Sequence, residues 1–499
     1  MLRARARALL RALPYRALSA CNPSEPSVLP AHPFAFEEGC HMSDPGHTSL
    51  QASMKPRHLV MMRLGSAIGT GLFVGTGGVI AAAGPAALLA YVIAGFIVIC
   101  VMRMLAEMVA ADPNPGAFSY YAGKALGAPA AFATGWLWWI QMCLVVAAEA
   151  IAAAQILSEL VPIVPSWVFA LSFMLLFTGI NLAAVGEFGE FEFWFSLVKV
   201  GFVVVFLVLG VLFLLGLTPG DSPGLTHLTE TPFMPTGVSG VAAALLIVAF
   251  AFGGVEIVAI AAAETSRPAH SVAKATRAIV WRIVLFYMGS VAIMVLAMPW
   301  DDPDLHSAPF VAVLNVAGLP AVAATLGLVI VLALLSSLNA NLYGGSRMVF
   351  SLAERGLVGR GRASRLFAGT NTRGVPVVSV LGTSAFGFVA VLLNYFWGEA
   401  VLGMLLSVVG STLIVTWVCT IVSHLVLHYR ARREGTELPV RMWFFPYVSW
   451  FTLACVAAVV VLGMTVPAIR TQMLLTFALT AVLYGLGVLA SRRGIDALT

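Results

Sequence analysis

Two stretches of this chain carry residues whose types and spacing could do chemistry inside an apolar segment. The first is Leu64-Gly65-Ser66-Ala67-Ile68-Gly69-Thr70-Gly71-Leu72-Phe73, within an apolar run from about Leu59 to Ala83. The second is Ala249-Phe250-Ala251-Phe252-Gly253-Gly254-Val255-Glu256. Glycine is a poor helix residue, so each stretch is expected to interrupt a helix. A helix broken at membrane depth exposes backbone N–H and C=O groups that lipid cannot satisfy. Such a break survives only where it lines a cavity or binds something. N-terminal half-helix ends offer N–H donors and a positive dipole, which suit a carboxylate. C-terminal ends offer carbonyls, which suit an ammonium or a cation. A zwitterion needs both. The substrate-binding candidates are therefore Ala67, Ile68, Gly69, Thr70, Gly71, Phe250, Phe252 and Gly253, with the Thr70 hydroxyl an added donor. Two other readings compete. Glycines also serve close helix packing. A dinucleotide loop fails, because Gly69-Thr70-Gly71-Leu72-Phe73-Val74 lacks the third glycine and no soluble strand precedes it.

Composition sets the frame for these breaks. The chain has 499 residues, 60% hydrophobic and 10% charged, which excludes an ordinary soluble domain. Twelve apolar runs follow one another: about 59–83, 86–109, 128–160, 166–185, 193–217, 238–263, 279–298, 321–351, 375–395, 400–427, 446–466 and 474–490. The expected fold is an all-α polytopic membrane protein with 12 transmembrane helices. The breaks fall in spans one and six, equivalent positions in two halves of five spans each. Five is odd, so the halves run in opposite senses, and matching broken helices point to a transporter site at the bilayer midplane. The expected division is residues 1–54 as an N-terminal extension, 55–220 as the first inverted repeat (spans one to five), 221–430 as the second (spans six to ten), and 431–499 as spans eleven and twelve with the tail. The extension reads as a flexible tail or a start placed upstream of the real one at Met42 or Met54, a transit peptide being the alternative.

Charge bias orients the chain. Lys55, Arg57 and Arg63 precede the first span, and Arg355, Arg360, Arg362, Arg365 and Arg373 lie between spans eight and nine. Arg430, Arg432, Arg433 and Arg441 lie between ten and eleven. The alternate loops carry Asp221, Asp301, Asp302 and Asp304. Both termini are expected to be cytoplasmic, in the inner (plasma) membrane. The net charge of +5 reflects this loop bias and gives no nucleic-acid face. Six cysteines with no CxxC give neither a disulfide framework nor a zinc site.

Ionisable residues within spans are costly and usually functional. Lys199 and Glu256 are the candidates for proton coupling, and the sequence does not choose between them. Lys199 lies about 9 Å into span five, from where it could also snorkel to the interface. Glu149 is open in role. For Glu107, an ion pair with Arg103 at i,i+4 is the simplest reading. His424 and His428 have metal-ligand spacing, but without a third ligand in view a histidine pair favoured by the helix dipole is the plainer reading, and no metal is expected. HExxH, GxSxG and a P-loop are absent, so nothing here hydrolyses ATP and no enzyme is indicated.

At these residues the chain resembles the amino acid–polyamine–organocation superfamily, and within it the bacterial amino acid transporter family. The matching stretches are Lys55-Pro56-Arg57-His58-Leu59, Gly65 to Phe73, Ala106-Glu107-Met108 with Gly116-Ala117-Phe118, Phe188 to Trp194, and Phe252 to Glu256 with Ala262-Ala263-Glu264. The resemblance implies a LeuT-like 5+5 inverted repeat with broken helices 1 and 6, and proton-coupled uptake of amino acids. It implies that Thr70 and Gly71 hold the substrate carboxylate, that the carbonyls of Ala67, Phe250 and Gly253 hold its amine, and that Phe250 acts as a lid. It places Lys199 where sodium-driven members bind sodium, near Ser336 and Ser337, which join Glu149 and Glu107 as accessory candidates. Glu149 to Ala154 looks most like the γ-aminobutyrate permease branch. The expected function is import of γ-aminobutyrate or a neutral amino acid by proton symport with alternating access. The alternatives are an exchanger without net proton coupling and a sensor that binds without transporting. No cofactor is expected beyond the proton as coupling ion. The partners expected are the amino acid and membrane lipid, with the chain a monomer or weak homo-oligomer.

Overall fold

In the computed structural model the described residues are 68–492, without 115, 184, 225, 230, 254–279, 359–360, 373 and 399. They all belong to one compact unit, Thr48–Thr499. Among them there is helix and no strand, and ten helical runs are long and apolar enough to cross a bilayer. The first run, Gly75–Ala111, turns at Gly84-Pro85. Gly84 takes φ +58°, a left-handed conformation that costs a glycine little. Gly237–Ala251 is a shorter apolar helix. Ala67, Glu256, the extension 1–54, the start of span one and the end of span six lie outside the described residues.

Local chemistry explains several helix ends. Pro129, Pro309 and Pro320 sit in first turns, where a missing N–H costs nothing. Asp302 caps the short helix Pro303–Ser307 by accepting from the Asp304 N–H at 2.8 Å. Arg432 and Arg433 close the last turn of Ala400–Glu434, where cations suit the dipole.

Burial separates an inner set of helices from an outer one. The apolar windows of Ala128–Leu160 and Pro320–Glu354 are 72% and 61% buried, against 22% for Ser166–Ala183. The inner helices approach closely through small residues. A Cβ on Gly345 would come within 3.0 Å of the Thr383 methyl and 3.2 Å of the Met142 Cβ. The outer helices expose Leu175, Leu176 and Val389, which suits lipid. Trp167 and Tyr395 meet edge-on at 5.6 Å on neighbouring outer helices, as amphipathic rings do at a membrane interface. Buried hydroxyls such as Thr416 and Thr420 donate to carbonyls one turn back within their own helix, while Thr383 does so and also accepts from the Trp139 indole N–H at 3.0 Å across helices.

Candidate functional site

The two sequence breaks meet. Ile68 and Gly69 are non-helical, and a single helical turn, Thr70–Phe73, starts after them before the chain bends at Val74. In the other half, Gly237–Ala251 ends where expected, with Phe252 and Gly253 in turn conformation. Gly71 faces the end of that second helix. A Cβ there would collide with the Ala251 Cα and come within 3.0 Å of its carbonyl oxygen. Glycine at 71 is thus required by the approach of the two breaks.

Glu149, from the middle of Ala128–Leu160, faces the first break. It is 3% exposed, and both its oxygens lie 3.3 Å from the Thr70 N–H. The N-terminal end of the half-helix therefore holds a carboxylate, as its dipole favours, but the protein's own. The Thr70 hydroxyl is near enough to act on Glu149, yet it meets no partner at hydrogen-bonding geometry. Ser337 stands on the same spot: a Cβ on Gly69 would come within 2.5 Å of both Ser337 Oγ and Glu149 Oε1.

At the second break the carbonyls already have donors. Phe250 O accepts from the Gly253 N–H at 2.8 Å, and Ala251 O accepts from the Tyr287 hydroxyl at 2.9 Å. Phe252 packs edge-on against Tyr91 and Tyr287 at 5.9 and 5.2 Å, inside an aromatic cluster. Phe250 instead borders the small hollow between the breaks, with Gly69, Gly71, Glu149 and Ser337. That hollow is about 20 Å³, room for a water and not for an amino acid. Binding a substrate there requires the breaks to part. Among the described residues two larger cavities lie elsewhere, at the charged helix ends.

Lys199 is 1% exposed, so it does not snorkel. It sits in Val185–Leu214, which packs against Pro320–Glu354, where Ser336 and Ser337 are buried. Its ammonium acts electrostatically on Glu149. The structure thus gathers Gly69, Thr70, Gly71, Glu149, Phe250, Gly253 and Ser337 around one point, with Lys199 in electrostatic reach. A buried carboxylate, a buried ammonium and a half-helix N-terminus can exchange a proton or trade partners with a zwitterion. Sequence reasoning missed the contact of Glu149 with the Thr70 N–H and the capping of Ala251 by Tyr287. The ionisable residue in an alanine-rich span was the signal for the first; nothing in the sequence marked the second.

Glu107 corrects two expectations. It does not need Arg103, whose guanidinium donates to the Arg441 carbonyl at 2.7 and 3.1 Å and lies over the Trp443 ring. Glu107 Oε1 sits 2.6 Å from His428 Nδ1 and 3.2 Å from His424 Nε2, and Oε2 accepts the Met442 N–H at 2.5 Å. The histidine pair therefore does have a third potential ligand, contributed by a helix more than 300 residues earlier in the chain. Glu107 stands apart from the group around Glu149.

With this geometry in hand, comparison with known proteins is direct. The family model for "Amino acid permease" matches residues 58–498. The γ-aminobutyric acid permease of Bacillus subtilis is 40% identical over 87% of this chain and 92% of its own length. The aromatic amino acid transport protein AroP of Corynebacterium glutamicum is 43% identical over 89% of this chain and 95% of its own. The γ-aminobutyric acid permease of Escherichia coli is 38% identical over 86% and 91%. Both the length of the match and the identities are those of a full relative, and the chain belongs to the amino acid permease family.

Proposed function

We propose that this protein imports a zwitterionic amino acid across the cytoplasmic membrane by proton symport with alternating access. The observation that carries the proposal is the meeting of the two helix breaks at Gly71 and Ala251, with Glu149 on the Thr70 N–H. In this reading twelve spans form two inverted repeats, 55–220 and 221–430, and both termini are cytoplasmic. The substrate carboxylate displaces Glu149 from the half-helix N-terminus. Glu149 and Lys199 then redistribute a proton, which links substrate binding to proton movement; Glu256 is the other carrier candidate. The substrate is γ-aminobutyrate or a neutral or aromatic amino acid, in keeping with the names of the relatives. No cofactor takes part, the proton being the coupling ion.

The test is uptake into proteoliposomes with and without an imposed pH gradient, over the common amino acids and γ-aminobutyrate. Uphill accumulation of at least one of them should require the gradient. Lys199→Met and Glu149→Gln should abolish accumulation while leaving counterflow of the same substrate. Accumulation that needs only internal amino acid would replace symport by exchange. Accumulation retained in both variants would remove Glu149 and Lys199 from coupling and leave Glu256.

A further inference from the structure

We propose that Glu107, His424 and His428 form a binding site for one divalent transition-metal ion of the zinc type, tying the Ala87–Ala111 helix to the Ala400–Glu434 helix. Two imidazoles and a carboxylate are a donor set that suits zinc, with a fourth position left for water. One ligand atom from each of the three residues lies within 4.8 Å of the others. His424 and His428 are one turn apart on one helix, so both rings face the same neighbour.

Four observations support a metal over a simple ion pair. First, His424 is fully buried, and neither ring nitrogen meets a hydrogen-bond partner at acceptable geometry. The only group near its Nε2 is Glu107 Oε1, off hydrogen-bond geometry, and a metal ion between the two would satisfy that nitrogen at lower cost than a poorly aligned contact. Second, the spacing is close to that of a coordinated set. Tetrahedral ligands about 2.05 Å from zinc stand roughly 3.3 Å apart. His424 Nε2 is 3.2 Å from Glu107 Oε1. His428 Nδ1, at 2.6 Å, would move away by roughly 0.7 Å to reach that separation. Third, the ligands are held from behind. The Met442 N–H fixes the second oxygen of Glu107, and the Phe445 ring stacks on His428 at 3.6 Å and 22°. Such outer contacts orient metal ligands. Fourth, Glu107 and His428 border a cavity of about 180 Å³ whose wall carries Asp112 and Glu434 balanced by Lys124 and Arg430. The cavity gives solvent access to the two ligands and room for the water ligand.

The test uses the full chain, purified in detergent, with its thiols alkylated so that cysteines cannot compete. Zn²⁺ is titrated against a chromophoric chelator, and Co²⁺ is added as a spectroscopic probe. One Zn²⁺ per chain is expected, with Kd about 1 µM or tighter, corresponding to roughly −8 kcal/mol. Co²⁺ should show the intense visible bands of a tetrahedral nitrogen–oxygen site. His424→Gln, close to histidine in size, should weaken Zn²⁺ at least tenfold, and His424→Gln with His428→Gln should abolish stoichiometric binding. Retained binding of the amino acid substrate, or where none is known an unchanged elution profile, confirms that these variants are folded. Absence of stoichiometric Zn²⁺ binding in the wild type, or the same affinity in the double variant, would overturn the proposal and leave Glu107 and His428 as a hydrogen-bonded pair. The outcome is independent of the transport reading, since neither the substrate nor the pH gradient enters the measurement.

Discussion

Glu149 and Glu107 are the same residue type in the same kind of place, and the protein treats them differently. Each sits on a long apolar helix and is no more than 3% exposed. Glu107 is gripped: both oxygens have short contacts, to an imidazole and to a backbone N–H. Glu149 shares one backbone N–H between its two oxygens at a lax 3.3 Å. A carboxylate fixed by short, directed contacts from two chain segments is suited to hold those segments together. A carboxylate resting on a half-helix N-terminus with long contacts is suited to leave when a better anion arrives. On the proposed transport reading the difference also separates a static joint from a moving one. Glu107 binds helices to the loop before Tyr447, while Glu149 lies where the two breaks must part.

The strongest way to break this comparison is to jam the place where the breaks meet. Gly71→Leu puts a side chain against the Ala251 backbone, which has no freedom to yield. Overpacking of this kind costs about 1–3 kcal/mol, and once the breaks part the same side chain fills the place the substrate carboxylate needs, so substrate affinity should fall at least roughly tenfold. The measurement is equilibrium binding to purified variant, with insertion and folding checked by its elution profile. Unchanged affinity would mean that the substrate does not bind at the breaks.

A smaller change sharpens the other side. Glu107→Gln keeps the shape but turns one oxygen into an amide NH₂ facing His428 or the Met442 N–H. Either the Met442 N–H loses its acceptor or His428 must turn its Nδ1 into an acceptor, and in both cases the carboxylate's charge-assisted contacts are lost, at a cost of about 1–3 kcal/mol. The denaturation midpoint of the variant should drop accordingly, and accumulation per folded molecule should fall far less than in Glu149→Gln. If Glu107→Gln loses accumulation with its midpoint unchanged, the assignment of the two carboxylates is reversed.

Much of this was legible in the sequence, for physical reasons that differ by residue. Apolar runs have a length fixed by the bilayer, so an all-helical chain with many spans could be read from composition, with ten helical runs long and apolar enough among the described residues against the twelve expected, and the Gly69–Gly71 and Phe252-Gly253 breaks followed from helix propensity. Lys199 was marked by its rarity in an apolar run, yet its depth could not decide between burial and snorkelling; that depends on the neighbouring helix, Pro320–Glu354. The Glu107–His428 contact was illegible because 321 residues separate the partners, and no local rule couples them. The near neighbour Arg103 offered a local pairing that tertiary structure overrode, since the Arg441 carbonyl and the Trp443 ring attract it instead.

The smallest expected effect comes from a third carboxylate, Asp112, which is outside the spans and partly exposed. It follows the Ala87–Ala111 helix, pairs with Lys124 at 2.6 Å, and accepts the Tyr120 hydroxyl at 2.7 Å. Partial burial pushes its carboxyl up, but Lys124 and the Tyr120 hydroxyl together outweigh this and hold it below the ordinary carboxylate range. The same carboxylate helps push the Tyr120 phenol up to about 12, after burial, so the tyrosine stays a donor at any working pH. A carboxyl whose folded value is depressed contributes stability above its unfolded value and loses it as pH falls through the folded one. The contribution is therefore present in full at neutral pH and fades as pH falls from about 4 through the lower folded value. Its size is limited, because the Asp112 and Lys124 side chains are 38% and 47% exposed and water and salt screen the pair. Asp112→Asn should lower stability at neutral pH by less than about 1 kcal/mol. Thermal midpoints of wild type and Asp112→Asn, compared at neutral pH and near pH 3 and at low and high salt, check it. The gap should close on acidification and shrink with salt; a gap that persists in acid would place the effect in the Tyr120 hydrogen bond and not in the charge.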